Sequence, residues 1–215
     1  MGVMTELANQ TGDILRRLHE RPQILVVCTG NICRSPMGEV VLREKLAQAQ
    51  LDIRVASAGV SNEEHGRGIY PPAQRALKAR GYPTPERAAH RVTQKELAES
   101  GLILAMTTGH ARALKRLLGA AGLDEGAIHL WREFDGSGLG ICPHGVFGPG
   151  GVLEPSEDDI PARKRRNSSS DFYYSSGRWD VSDPWGGADA EFEKTLDSVE
   201  QGASGIVNLL LAARA

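Results

Sequence analysis

Ile24-Leu25-Val26-Val27-Cys28-Thr29-Gly30-Asn31-Ile32-Cys33-Arg34-Ser35-Pro36-Met37 is the stretch that decides how this chain folds. Its first four residues form a continuous apolar run, the pattern of a parallel strand covered on both faces. The residues from Pro36 to Ala49 read as a helix, with Val40, Val41, Leu42 and Leu46 marking its buried side. Between strand and helix lies a short turn. A strand, a tight turn and a helix N-terminus make an anion cradle, because the first helical N–H groups have no partner inside the helix. Thr29 to Cys33 can curl into a nest of converging N–H groups. Gly30 permits a left-handed or strained backbone there, and Asn31 tolerates the same conformation. Cys28 stands at the mouth, where the helix N-terminus and a guanidinium favour the thiolate. Arg34 offers a planar fork matched to two oxygens of an oxyanion. Ser35 is a cap or a donor to the thiolate, and Pro36 fits a first helical turn. A Walker phosphate loop is excluded, since no G-x-x-x-x-G-K-[ST] string surrounds Gly30.

Strand and helix signals alternate outward from this stretch. Residues 5–19 carry apolar residues at roughly helical spacing and read as an amphipathic helix appended to the surface. Ile53 to Ala56 is a second strand, and Pro72 to Arg80 a helix with Ala76 and Leu77 inward and Gly81 as its stop. Thr93 and Glu96 form a capping box. Leu102 to Met106 is a third strand, Gly109 to Leu118 a helix stopped by Gly119, and Ala127 to Trp131 a fourth strand. Phe192 to Leu211 is a long last helix, with Leu196, Val199, Ile206, Leu209 and Leu210 as core positions. The expected fold is α/β: a four-stranded parallel sheet with helices on both faces. Right-handed crossovers bring the loops after the strand carboxyl ends to one edge, so Cys28, Ser57 and Thr107 should face a common site.

The chain has 215 residues, 40% of them hydrophobic, enough for one full core. Residues 1–21 read as an N-terminal extension and 22–212 as the functional domain. With 25 basic and 27 acidic residues the net charge is −2, so neither nucleic acid nor an anionic membrane is called for as a partner. Three cysteines build no disulfide framework, and a reactive thiol suits a reducing compartment. No run suits a bilayer span, and the polar first twenty residues are not a secretory signal. The expected location is cytoplasmic. From Phe134 to Trp179 the texture changes to clustered glycines, an acidic stretch, the basic run Arg163-Lys164-Arg165-Arg166 and Ser168-Ser169-Ser170. Such composition buries little, so 135–179 reads as a flexible insertion, either a surface excursion or a lid or docking arm. Tyr173-Tyr174 is either a phosphorylation site or a pair of aromatic anchors. Cys142-Pro143-His144 offers too few ligands for zinc.

Val27 to Met37, with Cys28 and Arg34 as C-x5-R, resembles the signature of the low-molecular-weight protein-tyrosine phosphatases. Ala56-Ser57-Ala58-Gly59-Val60 is similar to that family's S-A-G stretch. Asp183-Pro184-Trp185-Gly186-Gly187 resembles its Asp-Pro-aromatic loop. The resemblance spans about residues 22–134 and 180–212. It implies phosphotyrosine hydrolysis on a phosphorylated protein substrate, through a phosphocysteine on Cys28, with Arg34 on the phosphoryl oxygens and Asp183 as general acid and then base. It further implies a substrate-binding set of Thr29, Gly30, Asn31, Ile32, Cys33, Ser35 and Trp185, with Ser57 supporting the loop. Neither cofactor nor metal is implied, and the oligomeric state is left open. Cys33 either pairs reversibly with Cys28 under oxidation, by resemblance, or packs beneath the loop.

Three alternatives share these residues. Thr29, Met37, Leu104-Ala105-Met106-Thr107 and the Asp183 to Gly187 string resemble the bacterial protein-arginine phosphatase branch. That branch carries threonine where this chain has Ile32, and Ile32 is the residue of the tyrosine phosphatases. Arsenate reduction needs a downstream cysteine pair, and only Cys142 lies downstream. A silent phospho-binding module would have no use for Cys28, Arg34 and Asp183 together.

Overall fold

A computed structural model describes residues 2–153 and 177–214, and the side chains of residues 2–10 fall outside the description. The sheet consists of β1 (Gln23–Cys28), β2 (Arg54–Gly59), β3 (Leu102–Ala105) and β4 (Ile128–Leu130). All pairings are parallel and the spatial order is β2-β1-β3-β4. The chain winds to one side of β1 and then crosses to the other. A crevice therefore opens beyond the carboxyl end of β1, the switch point where ligands bind in such sheets. Cys28 is the last residue of that strand.

Successive side chains of β1 serve opposite faces. Ile24, Val26 and Cys28 join Leu102 and Leu104 in a core packed with α2 (Arg34–Gln48), α3 (Pro71–Ala79) and α6 (Asp189–Ala212). Leu25 and Val27 join Ile103, Ala105, Ile128 and Leu130 in a second core, under α4 (Gln94–Glu99) and α5 (Thr108–Ala121). Both faces are thus covered, as the unbroken apolar run requires. The capping box at Thr93 and Glu96 forms, and Ala76, Leu77, Leu196, Val199, Ile206, Leu209 and Leu210 are buried.

Several expectations are corrected. The N-terminal helix α1 (Gly2–Glu20) is no surface appendage, because Ile14 and Leu18 are buried in the first core and Arg17 is buried against Asp124, at 2.5 Å. Helix α5 runs past Gly119 and stops at Gly122, whose φ of 66° supplies the left-handed cap. Strand β2 does not stop at Ala56 but continues through Ser57, Ala58 and Gly59, so the S-A-G stretch is the end of the strand. The glycine-rich segment buries more than its composition suggests: Cys142, Val146 and Phe147 lie in the second core, and Val146 N donates to Ile128 O. The acidic stretch from Glu154, the basic run, the serine run and Tyr173-Tyr174 lie outside the described residues.

Candidate active site

The turn after β1 is shaped by where its carbonyls go. Cys28 O accepts from Val60 N, Thr29 O from Ser61 N, Ile32 O from Tyr70 N and Cys33 O from Met37 N. Asn31 O accepts from Arg87 Nη1. With the carbonyls engaged by surrounding elements, the N–H groups from Gly30 to Ser35 donate to no backbone carbonyl among the described residues. That leaves them for an anion, as the helix N-terminus behind them favours. The left-handed residue is Asn31, at φ 60°, and not Gly30. Gly30 is needed for room, since a Cβ there would meet Glu64 Cγ at 2.7 Å. Gly59 matters similarly, because a Cβ would strike Thr29 O at 2.5 Å and push β2 off the turn.

Asn31 is fully buried and ties the turn together. Its Nδ2 donates to Ser35 Oγ at 2.9 Å and to Ser57 Oγ at 3.0 Å. Its Oδ1 accepts from Arg87 Nη2 at 2.6 Å and from His90 N. Ser35 Oγ lies 3.0 Å from Cys28 Sγ. Ser57 Oγ donates to Glu39 Oε2 at 2.5 Å, and Arg87 faces the same carboxylate. Asn31, Ser35 and Ser57, all expected at the site from the sequence, meet one another here. Sequence reading missed Arg87 and Glu39, although Glu39 lies one helical turn beyond Ser35 and so on the same face of α2.

Thr107 does not line the crevice. It caps α5 by accepting from His110 N and reaches the turn only through His110. His110 Nδ1 sits 3.0 Å from Thr107 Oγ1 and Nε2 2.9 Å from Thr29 Oγ1. Complete burial, helped by the charge of Arg34, holds His110 well below the usual imidazole range, so the ring is neutral. Burial, reinforced by nearby Cys28, pushes the Cys33 thiol far above the usual range. Cys28, Cys33 and Cys142 are all free thiols.

A cleft of about 230 Å³ stands over the turn, lined by Cys28, Thr29, Gly30, Ile32, Cys33 and Arg34 on its floor, with Glu63, Glu64, Asp183 and Trp185 as walls. Arg34 is almost wholly buried, and its Nη2 meets Asp183 Oδ2 at 2.6 Å. Trp185 N donates to Asp183 Oδ1, and the Trp185 side chain is 64% exposed. The structure thus gathers the expected residues in or directly behind one cleft, Asn31, Ser35 and Ser57 forming the buried layer beneath it. Glu63 and Glu64, from the loop after β2, went unread because no motif marks them. Among the described residues no group of three or more His, Cys, Asp or Glu is placed to hold a metal ion, and no helix is long and apolar enough to cross a membrane.

Comparison with known proteins agrees with this geometry. Residues 23–140 match the family of low molecular weight phosphotyrosine protein phosphatases. A low molecular weight protein-tyrosine-phosphatase of Streptomyces coelicolor is 30% identical over 187 residues, 86% of this chain and 91% of the relative. A low molecular weight protein-tyrosine phosphatase A of Mycobacterium tuberculosis is 39% identical over 114 residues, 52% of this chain and 66% of the relative. Among solved structures, a low molecular weight phosphotyrosine phosphatase of Vibrio cholerae superposes with TM-score 0.63 at 25% identity, over 88% of this chain and 96% of that one. An arginine phosphatase of Geobacillus stearothermophilus shares the fold, with TM-score 0.62 at 23% identity over 89% and 94%. The chain belongs to the low molecular weight phosphotyrosine protein phosphatase family, a family of hydrolases.

Proposed function

We propose that the chain hydrolyses phosphotyrosine in a protein substrate, with Cys28 as nucleophile. One observation carries the reading: Cys28, the N–H-lined turn, Arg34 and Asp183 converge on a single cleft. A phosphoryl group seated in the turn has its oxygens opposite the N–H groups and the Arg34 fork, which neutralise charge as it develops. Cys28 Sγ attacks phosphorus and the tyrosyl oxygen departs. Ser35 Oγ, at 3.0 Å, donates to the thiolate. The arriving anion competes with Asp183 for Arg34. Asp183, released from Arg34 and protonated, gives its proton to the leaving oxygen and then takes one from the water that hydrolyses the phosphocysteine. Ile32 and Trp185 present apolar surface to an aryl group. Three free cysteines agree with a reducing, cytoplasmic setting. Residues 22–212 form the catalytic unit, with 135–179 inserted before the acid loop.

The test is turnover of phosphotyrosine and phosphoarginine peptides of one sequence under identical conditions, with Cys28→Ser as control. Preference for phosphotyrosine is expected. Preference for phosphoarginine would move the chain to the arginine-phosphatase reading, and activity in the control would move the nucleophile elsewhere.

A further inference from the structure

Two loops must meet for this chemistry, and both are fastened to the first turn of α5. The acid loop is fastened by Asp180. Its Oδ1 accepts from Thr108 N at 2.7 Å, and the residue is 6% exposed. An N–H in the first helical turn has no partner within its helix, so this carboxylate supplies a cap that α5 itself lacks at that position. The next residue continues the attachment, with Val181 N donating to Met106 O at 2.8 Å and Val181 O accepting from Arg34 Nη1. Asp183 follows two residues later. Two residues along α5, in the same turn, His110 fastens the other loop through Thr29, the residue after Cys28. The helix N-terminus is thus a bracket with one arm on the acid loop and one on the phosphate loop.

We propose that Asp180 and His110 are positioning residues for the reaction: Asp180 sets where Asp183 stands over the cleft, and His110 sets the turn beside Cys28. The proposal rests on the reading of Asp183 as general acid. Neither residue touches substrate, so each acts through the group it holds. The two arms predict different kinetic signatures. Asp180 acts on proton transfer, which matters most for a poor leaving group. His110 acts on the nucleophile side, which every substrate uses.

The experiment measures para-nitrophenyl phosphate and a phosphotyrosine peptide with four proteins: the parent, Asp180→Ala, Asp183→Asn and the double variant. Asp180→Ala should lower kcat/KM, which reports the step that expels the leaving group, about tenfold on the peptide and by no more than about threefold on para-nitrophenyl phosphate. In the Asp183→Asn background the same substitution should cost less than about twofold, because the group it positions no longer transfers a proton. Asp180→Asn keeps an oxygen for Thr108 N–H and should recover most of the loss. Should Asp180→Ala fail to fold, Asp180→Leu, which fills similar space without an acceptor, takes its place with the same expectations. His110→Ala should reduce both substrates alike, and its loss should add to that of Asp183→Asn. Equal losses on the two substrates for Asp180→Ala, or additivity with Asp183→Asn, would overturn the role of Asp180. A leaving-group-dependent loss for His110→Ala would overturn the two-armed bracket. If Asp183→Asn itself shows no leaving-group dependence, the general-acid reading fails first, and the two failures are told apart by that single variant.

Discussion

The phosphate loop and the acid loop face each other across one cleft, yet they are built differently. From Cys28 to Ser35 the chain is buried at every residue but Gly30 and firmly held: five outward carbonyls are bonded, and Asn31 alone makes four side-chain contacts. The acid loop from Asp180 to Gly187 is tied at its start, through Asp180, Val181 and the bond from Thr195 Oγ1 to Ser182 O. It then runs out to exposed Trp185. A nest that must present several N–H groups to one anion tolerates little movement, since misplacement by an ångström is costly in catalysis. In the proposed role of proton donor, Asp183 must leave Arg34 before it can act. Bonds are densest around the turn that would hold the anion and fewer toward the tip of the loop that carries Asp183.

The largest expected effect is at the rigid side. Cys28→Ser should abolish turnover while vanadate or phosphate still binds, since the hydroxyl is a far poorer nucleophile and the nest is unchanged. Isothermal titration with vanadate, beside a turnover assay, checks both halves. Loss of anion binding as well would mean that the nest does not stand independently of the thiol.

Asn31 tests whether the phosphate loop is as over-determined as its bonding suggests. Asn31→Ala takes one acceptor from Arg87 and the amide donors from Ser35 and Ser57, and leaves a residue without a side-chain amide at φ 60°. The backbone alone costs about 1–2 kcal/mol, and each unpaired buried polar group about 1–3 kcal/mol more. Chemical denaturation should show a loss of several kcal/mol in total, and kcat/KM should fall about a hundredfold, a drop equivalent to about 2.7 kcal/mol of transition-state stabilisation. Asn31→Gly removes the bonds without the φ penalty and should be the more stable of the two. If the two variants were equally stable, strain at this position would have no weight.

How much of this was legible follows from distance along the chain. The phosphate loop could be read because its requirements fall on consecutive residues: a strand end, a small residue, an Asn, an Arg and a Pro each answer a local backbone or donor need. The sheet could be read for the same reason, from apolar runs and caps. His110 could not, because its partner Thr29 lies 81 positions away. Arg87 and Asp180 act across 56 and 72 positions. No spacing rule connects such pairs before the fold exists. The glycine-rich segment misled for a different reason. Composition averages over the stretch, whereas burial depends on single residues, and Val146 and Phe147 reach the second core between Gly145 and Gly148.

A smaller effect is expected at Ile32, which belongs to the rigid loop but points to substrate choice rather than to the nest. It is nearly buried in the cleft floor. A branched apolar side chain there suits an aryl group and strips water from a guanidinium without replacing it. Ile32→Thr supplies an acceptor at nearly equal size, and should raise the ratio of phosphoarginine to phosphotyrosine turnover about tenfold, near the value of one desolvated hydrogen bond. An unchanged ratio would place specificity in the walls, with Glu63, Glu64 and the acid loop.

The smallest effect should come from the acid loop's own tip. Trp185 lies beside the cleft with most of its surface in water, and its backbone N–H, not its ring, holds Asp183 Oδ1. Trp185→Ala therefore removes no support from the proton donor. It removes only a face against which an aryl group can rest, and a partly exposed aromatic contact is worth about 0.5–1.5 kcal/mol. KM for a phosphotyrosine peptide should rise about threefold, kcat should hold within a factor of about two, and the melting temperature should not move. Phosphoserine peptides, which have no ring to stack, should show no change in KM. If kcat instead fell tenfold on poor leaving groups alone, Trp185 would be steering Asp183, and the acid loop would be held at its tip as well as at its root.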